Sequence, residues 1–350
     1  MTNFQNLQIP FCLLLLSLIV NYLISSNTKF ISKITGLIDE PDFKRKIHKK
    51  KTPIVASFPI VILFLTFLIV DFYINLFDQN IKKILITSLC FFVIGLADDK
   101  FNLNPYKKII LLSLPIFFIL QDNSLLIIGK IFFFETTSFF YLKQFSFLFT
   151  YLCILVLINA INLSDGINGL AAGIVFFCLF YILLSFNNNF NIFLIIVLIN
   201  ILIIIPSIYK GDQFLGDSGS LFLSGFLSLI IIYYVNSYWA DNINNNNWAA
   251  DIKIGAENIF IILMIPGLDM LRLFIYRILK KKDPLQADNE HLHHYLIKIY
   301  GLNKALIFYF LLMNMPIIFS LYTNLSKIFL IIMSLLVYSF FIFFLKKQSL

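Results

Sequence analysis

Charged residues are scarce in this chain, and their scarcity argues against a soluble protein. Only 13% of the 350 residues are charged and 59% are hydrophobic, whereas a soluble domain carries about a quarter charged residues. Cysteine is also rare. The four cysteines lie inside apolar runs without metal-ligand spacing, which argues against a disulfide scaffold or a cysteine-based metal site. The composition indicates an integral membrane protein.

Long apolar runs recur through the sequence and predict its fold class. Because a helix needs about 20 residues to cross a bilayer, the runs predict an all-α polytopic membrane protein with about 11 transmembrane helices. The third and fourth runs are short and reach a full crossing only with flanking polar residues. No linker separates domains, so one integral membrane domain is predicted over 1–350. The predicted spans lie near residues 8–26, 54–77, 84–97, 109–120, 145–163, 171–186, 192–209, 220–235, 259–279, 305–321 and 328–345.

Basic residues are distributed unevenly between the two sets of loops, and this orients the predicted helices. One set of loops holds 19 Lys and Arg residues and the other holds 6, and basic loops tend to stay in the cytoplasm. The N-terminus is therefore predicted outside and the C-terminus in the cytoplasm. Attraction to anionic lipid headgroups accounts for the net charge of +8, so no nucleic-acid partner is predicted.

Five polar islands interrupt the apolar sequence, and the predicted topology puts all of them on the cytoplasmic side. Polar and ionisable groups are expensive beside hydrocarbon and mark candidate functional sites. The islands are Gly36–Pro53, Asp98-Asp99, Asn159–Leu170, Gly211–Ser220 and Asp288–His294.

Acidic residues in two of these islands are suited to holding a cation. Asp98 and Asp99 are adjacent and repel each other, which favours a nearby metal or basic side chain such as Lys107 or Lys108. A solvated helix end is the alternative. Asp217 lies in a run of small residues that begins a predicted span, where it could hold a cation that bridges phosphates or serve as an ordinary helix cap.

Amide and carboxylate side chains recur every three residues in the third island. Asn159, Asn162, Asp165 and Asn168 share one stripe if the segment is helical, although the glycines among them indicate a turn in the later part. Oxygen ligands of this kind suit Mg²⁺. Hydrogen bonding between membrane helices is the alternative.

Histidines are concentrated in the last island, where His291, His293 and His294 are three of the chain's four. A zinc site is not supported, because neither an HExxH pattern nor a cysteine accompanies them. The predicted role is a hydrogen-bonding or cationic partner for a substrate phosphate or sugar, with Asp288 and Glu290 as candidates to fix the histidine tautomers. A solvated charged loop is the alternative.

Five sequence motifs in this order resemble the signatures of a known family. They are GLIDEP with a following histidine and proline, GLADDKFNLNPYKK, NAINLSDGINGLAAG, the run at 216–225, and IPGLDMLRLFIYRILKKKDPLQADNEHLHH. The chain resembles the polyprenyl-phosphate N-acetylhexosamine-1-phosphate transferases, the WecA/MraY-type glycosyltransferase family 4, and is most similar to the WecA-like branch. The resemblance runs from about residue 36 to residue 294.

This resemblance implies roles for individual residues. Asn162 and Asp217 are implied as ligands of Mg²⁺, for which Mn²⁺ could substitute. Asp98 and Asp99 are implied to act on the polyprenyl phosphate, and Asp165 matches another essential acid. The implied substrate-binding residues are Asn168, His291, His293, His294 and Lys107.

The resemblance also implies an activity and its setting. The expected enzyme is an Mg²⁺-dependent transferase that moves N-acetylhexosamine-1-phosphate, with GlcNAc-1-phosphate as the leading candidate, from a UDP-sugar to polyprenyl (undecaprenyl) phosphate. UMP would be released and a lipid-linked envelope glycan such as the O antigen of lipopolysaccharide begun. The expected location is the bacterial inner membrane with the active site on its cytoplasmic face, and a homodimer is left open.

Two other functions are kept as alternatives. One is the phospho-N-acetylmuramoyl-pentapeptide transferase of peptidoglycan synthesis, although the HLHH pattern favours a plain amino-sugar nucleotide. The other is a membrane transporter or lipid-binding protein without catalysis. Transporters commonly bind their substrates near the bilayer midplane, whereas the polar islands are predicted at one membrane edge.

Overall fold

The computed structural model describes residues 2–40, 50–121, 124–133, 135–186, 190–243, 255–285 and 289–349, so the predicted role of Asp288 lies outside the described residues. The all-α architecture is confirmed. The helices are α1 (Thr2–Ser26), α2 (Thr28–Thr35), α3 (Phe58–Ile74), α4 (Gln79–Phe101), α5 (Pro105–Gln121), α6 (Ser146–Ser164), α7 (Leu170–Ser185), α8 (Asn191–Lys210), α9 (Gly216–Ile243), α10 (Ala256–Leu279), α11 (Leu292–Tyr322) and α12 (Lys327–Ser349).

Each predicted span coincides with one of these helices, and the chain is a multi-pass membrane protein. Within the described ranges, 8 helices are long and apolar enough to cross a membrane, while Phe58–Ile74 and Leu170–Ser185 are apolar but shorter. The number of crossings and the positions of the two termini stay predictions. The third predicted span is a helix of 23 residues, because polar residues continue it and Asp78 caps its first turn.

The chain divides into two compact units. The first unit contains residues 1–123 and 168–231, and the second contains residues 124–167 and 232–350, so α9 contributes to both. The predicted single transferase domain over 1–350 stays a prediction.

Apolar and aromatic side chains form the interior of the first unit. In this unit α1 packs against α3 and α8, α4 packs against α5, and α7 packs against α8. The Phe64 ring lies 4.9 Å from the Phe222 ring and 4.8 Å from the Phe226 ring, both edge-on. These contacts fix the first half of α9 against α3.

A short sheet positions the loop that leads into α9. Strand β1 (Ile38–Asp39) pairs with β2 (Thr52–Pro53), and the next residue, Ile54, forms a parallel bridge with Phe214. The Phe214 N–H donates to the Pro53 carbonyl at 2.7 Å. These backbone hydrogen bonds hold the residues just before α9 in place.

The second unit contains a hairpin, the helices α6, α10, α11 and α12, and the end of α9. Strand β3 (Lys130–Phe133) pairs with β4 (Ser138–Tyr141), and α10 packs against α6, α11 and α12. Gly301 in α11 has φ +75°, which breaks the helix into a short segment that carries two histidines and a longer apolar segment. The short segment explains why the helix begins well before the predicted span at 305–321.

Candidate functional site

The N-terminus of α9 is capped by an aspartate from another helix of the first unit. Asp99, near the end of α4, accepts the Asp217 N–H at Oδ1 (2.8 Å) and the Ser218 N–H at Oδ2 (2.9 Å). The first N–H groups of a helix have no partner within the helix, and a carboxylate there also interacts favourably with the helix dipole. Asp217 is therefore not the cap of α9.

Two glycines permit this close approach of α4 to α9. A Cβ on Gly95 would lie 2.4 Å from the Ser218 Cα and 2.5 Å from the Asp217 carbonyl oxygen. Gly216 has φ +68°, and a Cβ there would lie 2.9 Å from both carboxylate oxygens of Asp99. The small residues that the sequence places at these positions are thus required by the geometry.

Lys108 contacts the carboxylates of Asp98 and Asp217. Its Nζ atom lies 2.6 Å from Asp98 Oδ2 and 2.5 Å from Asp217 Oδ1. The remaining Asp98 oxygen, Oδ1, accepts the Leu103 N–H at 2.8 Å, which holds the turn between α4 and α5. We call Asp98, Asp99, Lys108 and Asp217 the carboxylate–lysine cluster.

Charge compensation keeps the Lys108 ammonium protonated. Lys108 precedes the apolar run of α5, and burial by itself lowers the pKa of its ammonium group. The carboxylates of Asp217 and Asp98 outweigh this effect, so the pKa lies above its ordinary value. Lys108 therefore keeps its positive charge at neutral pH, in contact with Asp98 and Asp217.

The donor set of the carboxylate–lysine cluster fits a hard divalent cation. Asp98 and Asp217 already hold one cationic group, the ammonium of Lys108, between them. The Asp217 side chain is 36% exposed, whereas that of Asp98 is 8% exposed, so Asp217 is the more accessible oxygen donor. Carboxylate oxygens with access to solvent are the ligands that Mg²⁺ prefers.

The predicted asparagine stripe is helical only in its first part. Asn159 and Asn162 lie in α6, which ends at Ser164, and Asp165 follows as the C-terminal cap. Asn162 and Asp165 are half-buried. Both belong to the second unit, whereas Asp217 belongs to the first, so a cation shared by Asn162 and Asp217 stays a prediction.

Asn168 lies in the first unit, within the turn that the glycines predict. Gly169 has φ +85° and begins the transition into α7. A Cβ on Gly211 would lie 3.5 Å from the Asn168 amide nitrogen, so two of the predicted islands meet within the first unit.

The histidine island of the second unit surrounds a buried aspartate of α10. His291 Nδ1 lies 2.9 Å from Asp269 Oδ2. The backbone N–H of Leu292, the first residue of α11, donates to both oxygens of the same carboxylate at 3.0 and 3.1 Å. Asp269 therefore caps α11 from a distance in sequence, as Asp99 caps α9.

Two more donors complete the surroundings of Asp269. Arg272 Nη2 and the Tyr338 hydroxyl each donate to Asp269 Oδ1 at 2.9 Å. Arg272 Nε also donates to the Tyr338 oxygen at 3.1 Å, and Arg272 Nη2 donates to the Glu290 carbonyl at 2.5 Å. We call Asp269, Arg272, His291, His293 and Tyr338 the aspartate–histidine cluster.

Nitrogen atoms of two buried histidines in this cluster face no protein partner. Within the described part of the chain, His291 Nε2 and both ring nitrogens of His293 make no hydrogen bond. Ligand atoms of Asp269, His291 and His293 lie within 4.8 Å of one another, so the group could hold a metal ion. Both Asp269 oxygens already accept hydrogen bonds. We therefore favour the histidine nitrogens, without Asp269, as the atoms that would contact a bound ligand.

The third island packs against the histidines inside the second unit. A Cβ on Gly166 would lie 2.8 Å from His293 Nε2 and 3.3 Å from His294 Cε1. Only glycine at this position leaves room for the rings. The turn that contains Asp165 and Gly166 therefore lies next to His293 and His294.

The structure adds residues to the sequence-based candidates and distinguishes between two lysines. Lys107, the predicted substrate-binding lysine, is exposed, and its role stays a prediction. Lys108, its neighbour, contacts Asp98 and Asp217, in keeping with the predicted basic side chain beside the aspartate pair. Asp269, Arg272 and Tyr338 were missed, although ionisable residues inside a membrane span are a signal by themselves.

Comparisons with known proteins support the predicted family resemblance. The profile of "Glycosyl transferase family 4" matches residues 81–235, which include Asp98, Asp99, Asn162 and Asp217. A probable undecaprenyl-phosphate N-acetylglucosaminyl 1-phosphate transferase of Bacillus subtilis is 27% identical over 300 residues, covering 83% of this chain and 78% of the relative.

Two further relatives bear on the choice between branches. An undecaprenyl-phosphate alpha-N-acetylglucosaminyl 1-phosphate transferase of Thermotoga maritima is 25% identical over 304 residues, covering 87% of this chain and 86% of the relative. A phospho-N-acetylmuramoyl-pentapeptide-transferase of Petrotoga mobilis is 29% identical over 202 residues, covering 53% of this chain and 62% of the relative. The family model and these relatives confirm the predicted resemblance to glycosyl transferase family 4, the polyprenyl-phosphate N-acetylhexosamine-1-phosphate transferases.

Proposed function

We propose that this protein transfers N-acetylhexosamine-1-phosphate, with GlcNAc-1-phosphate as the leading candidate, from a UDP-sugar to polyprenyl phosphate. The observation that carries the proposal is the carboxylate–lysine cluster at the N-terminus of α9, which holds a cation between Asp98 and Asp217. The relatives from Bacillus subtilis and Thermotoga maritima are named as undecaprenyl-phosphate N-acetylglucosaminyl 1-phosphate transferases, and these names support the same activity.

The proposed reaction exchanges one phosphoanhydride bond for another. An oxygen of the lipid phosphate attacks the β-phosphorus of the UDP-sugar, and the bond between that phosphorus and the bridging oxygen breaks. UMP leaves with the electron pair, and the sugar remains as polyprenyl diphosphate-sugar. Such transfers depend on positioning and charge neutralisation more than on covalent chemistry from the protein.

We assign the metal to Asp217 and Asn162, with Asp98 next to it. When bound, Mg²⁺ would neutralise phosphate charge and favour the departure of UMP. Lys108 supplies a second positive charge beside these carboxylates, which suits an anionic substrate. Asp98 is a better candidate than Asp99 to orient the lipid phosphate, because both oxygens of Asp99 accept backbone N–H groups of α9.

The remaining predicted residues are assigned to the substrates. Asp165 is proposed as a further essential acid, and Asn168 and Lys107 as substrate-binding residues. His291, His293 and His294 are proposed to bind the UDP-sugar. The reaction is placed on the cytoplasmic face of the bacterial inner membrane, in keeping with the distribution of basic residues.

The proposal is tested by giving the purified protein each of several UDP-N-acetylhexosamines together with undecaprenyl phosphate. We expect UMP release and a lipid-linked sugar phosphate, identified by mass spectrometry, that require both Mg²⁺ and the lipid. UDP-GlcNAc is the expected donor. Lack of product with every donor would contradict the proposed activity and favour a transporter or lipid-binding protein.

The muramoyl-pentapeptide branch is tested with its own donor. UDP-MurNAc-pentapeptide, offered separately, should give no lipid product. The relative from this branch matches only 53% of the chain, whereas the relatives named for GlcNAc transfer match 83% and 87%. Product from the pentapeptide donor alone would reverse the assignment.

A further inference from the structure

The contacts of Asp269 determine which of its oxygens faces His291. Oδ1 accepts from Arg272 Nη2 and from the Tyr338 hydroxyl, each at 2.9 Å, and from the Leu292 N–H at 3.0 Å. Guanidinium and backbone N–H groups can only donate. This end of the carboxylate must therefore be an acceptor in any variant that keeps the fold.

The other oxygen determines the tautomer of His291. Oδ2 lies 2.9 Å from His291 Nδ1, and an ionised carboxylate only accepts hydrogen bonds. Nδ1 must therefore carry the proton. In a neutral imidazole the other nitrogen, Nε2, is then an acceptor with a free lone pair.

His291 Nε2 is buried without a hydrogen-bond partner among the described residues. A buried acceptor without a partner costs about 1–3 kcal/mol of stability. Such an atom is expected where a ligand or a water molecule donates a hydrogen bond to it. Gly166 also brings the third polar island against the neighbouring His293.

We propose that Asp269 is a positioning residue that fixes His291 in the Nδ1–H tautomer, so that Nε2 accepts a hydrogen bond from a hydroxyl or N–H group of the UDP-sugar. This inference rests on the proposed function for the identity of the ligand. Arg272 already compensates the charge of Asp269, so a second proton on His291 would leave these buried groups with a net positive charge. A neutral acceptor is therefore the better match to these surroundings.

The substitution Asp269→Asn tests the proposal because it preserves the shape of the side chain and reverses the direction of the hydrogen bond with His291 Nδ1. The amide oxygen would occupy the Oδ1 position, where three donors require it, and the amide NH₂ would face His291 Nδ1. Nδ1 would then have to accept, and the proton would move to Nε2. The result is an intact histidine with the wrong nitrogen protonated.

The first measurement is NMR of ¹⁵N-histidine in the full-length protein at pH 8, above the ordinary pKa range of histidine. The chain has only four histidines, which single His→Gln variants assign. We expect the Nδ1–H tautomer for His291 in the wild type and in Tyr338→Phe, and the Nε2–H tautomer in Asp269→Asn. An unchanged tautomer in Asp269→Asn would overturn the proposal.

The second measurement is the KM for each substrate. Asp269→Asn should raise the KM for the UDP-sugar about tenfold, as expected for one lost hydrogen bond, and leave the KM for undecaprenyl phosphate unchanged. Asp269→Glu should restore part of the affinity. If the tautomer changes but the KM for the UDP-sugar does not, the proposal is overturned. Nε2 would then not act as an acceptor, because a contact with a phosphate requires an N–H at Nε2 that donates.

A second variant keeps the proposal testable if Asp269→Asn does not fold. His291→Asn retains an amide N–H near the Nδ1 position but has no atom at Nε2. It should elute normally in size-exclusion chromatography and show the same rise in donor KM. A normal donor KM in His291→Asn would overturn the proposal. Absence of any transferase activity in the wild type would instead contradict the proposed function, while the tautomer measurement would still decide the role of Asp269.

Discussion

The two clusters handle buried polarity in opposite ways. In the carboxylate–lysine cluster the carboxylates interact with groups of the protein itself, Lys108 and the backbone of α9. In the aspartate–histidine cluster the carboxylate is satisfied, but three histidine nitrogens have no partner among the described residues. The polar groups of the first cluster thus contact each other, whereas the second cluster offers histidine nitrogens to a ligand.

The two clusters also share one structural feature, an aspartate that caps the N-terminus of another helix. Asp99 and Asp269 each cap a helix that begins far away in sequence, and each cap holds a neighbouring functional side chain in place. A cap of this kind contributes about 0.5–2 kcal/mol to stability. Capping and positioning are therefore the same interaction at both sites, which suggests that stability and function will be coupled in variants of either aspartate.

The largest effect is expected for Asp217→Asn. Removing the accessible carboxylate weakens the proposed metal site, and we expect UMP release to fall at least about a hundredfold. Asp212→Asn is the matched control, because Asp212 is exposed in the same polar island. Equal rates for the two variants would remove Asp217 from the proposed metal site.

Asp98 and Asp99 are adjacent but are expected to respond differently. Asp98→Asn should lower kcat about tenfold or more, because this carboxylate is the candidate that orients the lipid phosphate. Asp99→Asn should mainly lower the unfolding temperature, since the amide can accept only one of the two α9 N–H groups. UMP release and thermal unfolding in detergent measure the two effects. The reverse order would assign catalysis to Asp99.

Lys108→Gln should have a large effect and Lys107→Gln a small one. Loss of the Lys108 ammonium leaves Asp98 and Asp217 without compensation, and we expect kcat/KM to fall about tenfold. Lys107 is exposed, and as a proposed substrate-binding residue it should contribute less than Lys108. A larger loss in Lys107→Gln would support the residue that the sequence predicted and contradict the assignment to Lys108.

The smallest effect on activity is expected for Gly95→Ala, which tests the packing beneath the first cluster. The new Cβ would lie 2.4 Å from the Ser218 Cα, and such overpacking costs about 1–3 kcal/mol. We expect a lower unfolding temperature with little change in KM. Gly129→Ala is the control, because a Cβ there meets nothing within 4 Å. Equal stability of the two variants would contradict the close contact of α4 with α9.

Much of the fold could be predicted because apolar length determines where membrane helices lie. Each predicted span coincides with a helix, and the turn at Gly166 and Gly169 follows from the glycines themselves. The polar islands were recognised because polar groups are unfavourable in hydrocarbon. These are local properties, and local sequence is sufficient for them.

Pairings across the chain could not be predicted in the same way. Nothing in the neighbourhood of Asp99 shows that it caps α9, more than a hundred residues away, or that Lys108 and not Lys107 faces the carboxylates. The sequence offered Asp288 and Glu290 as the partners of the histidines, whereas the described carboxylate at His291 Nδ1 is Asp269. The overlooked signal was an aspartate and an arginine three residues apart inside a membrane span.

The most direct test of the proposed function is UMP release from UDP-GlcNAc by the purified protein with undecaprenyl phosphate and Mg²⁺. We predict release that stops when either the lipid or the divalent cation is withheld and that nearly disappears in Asp217→Asn. Release that continues without the lipid, or that is the same in Asp217→Asn and the wild type, would contradict the account.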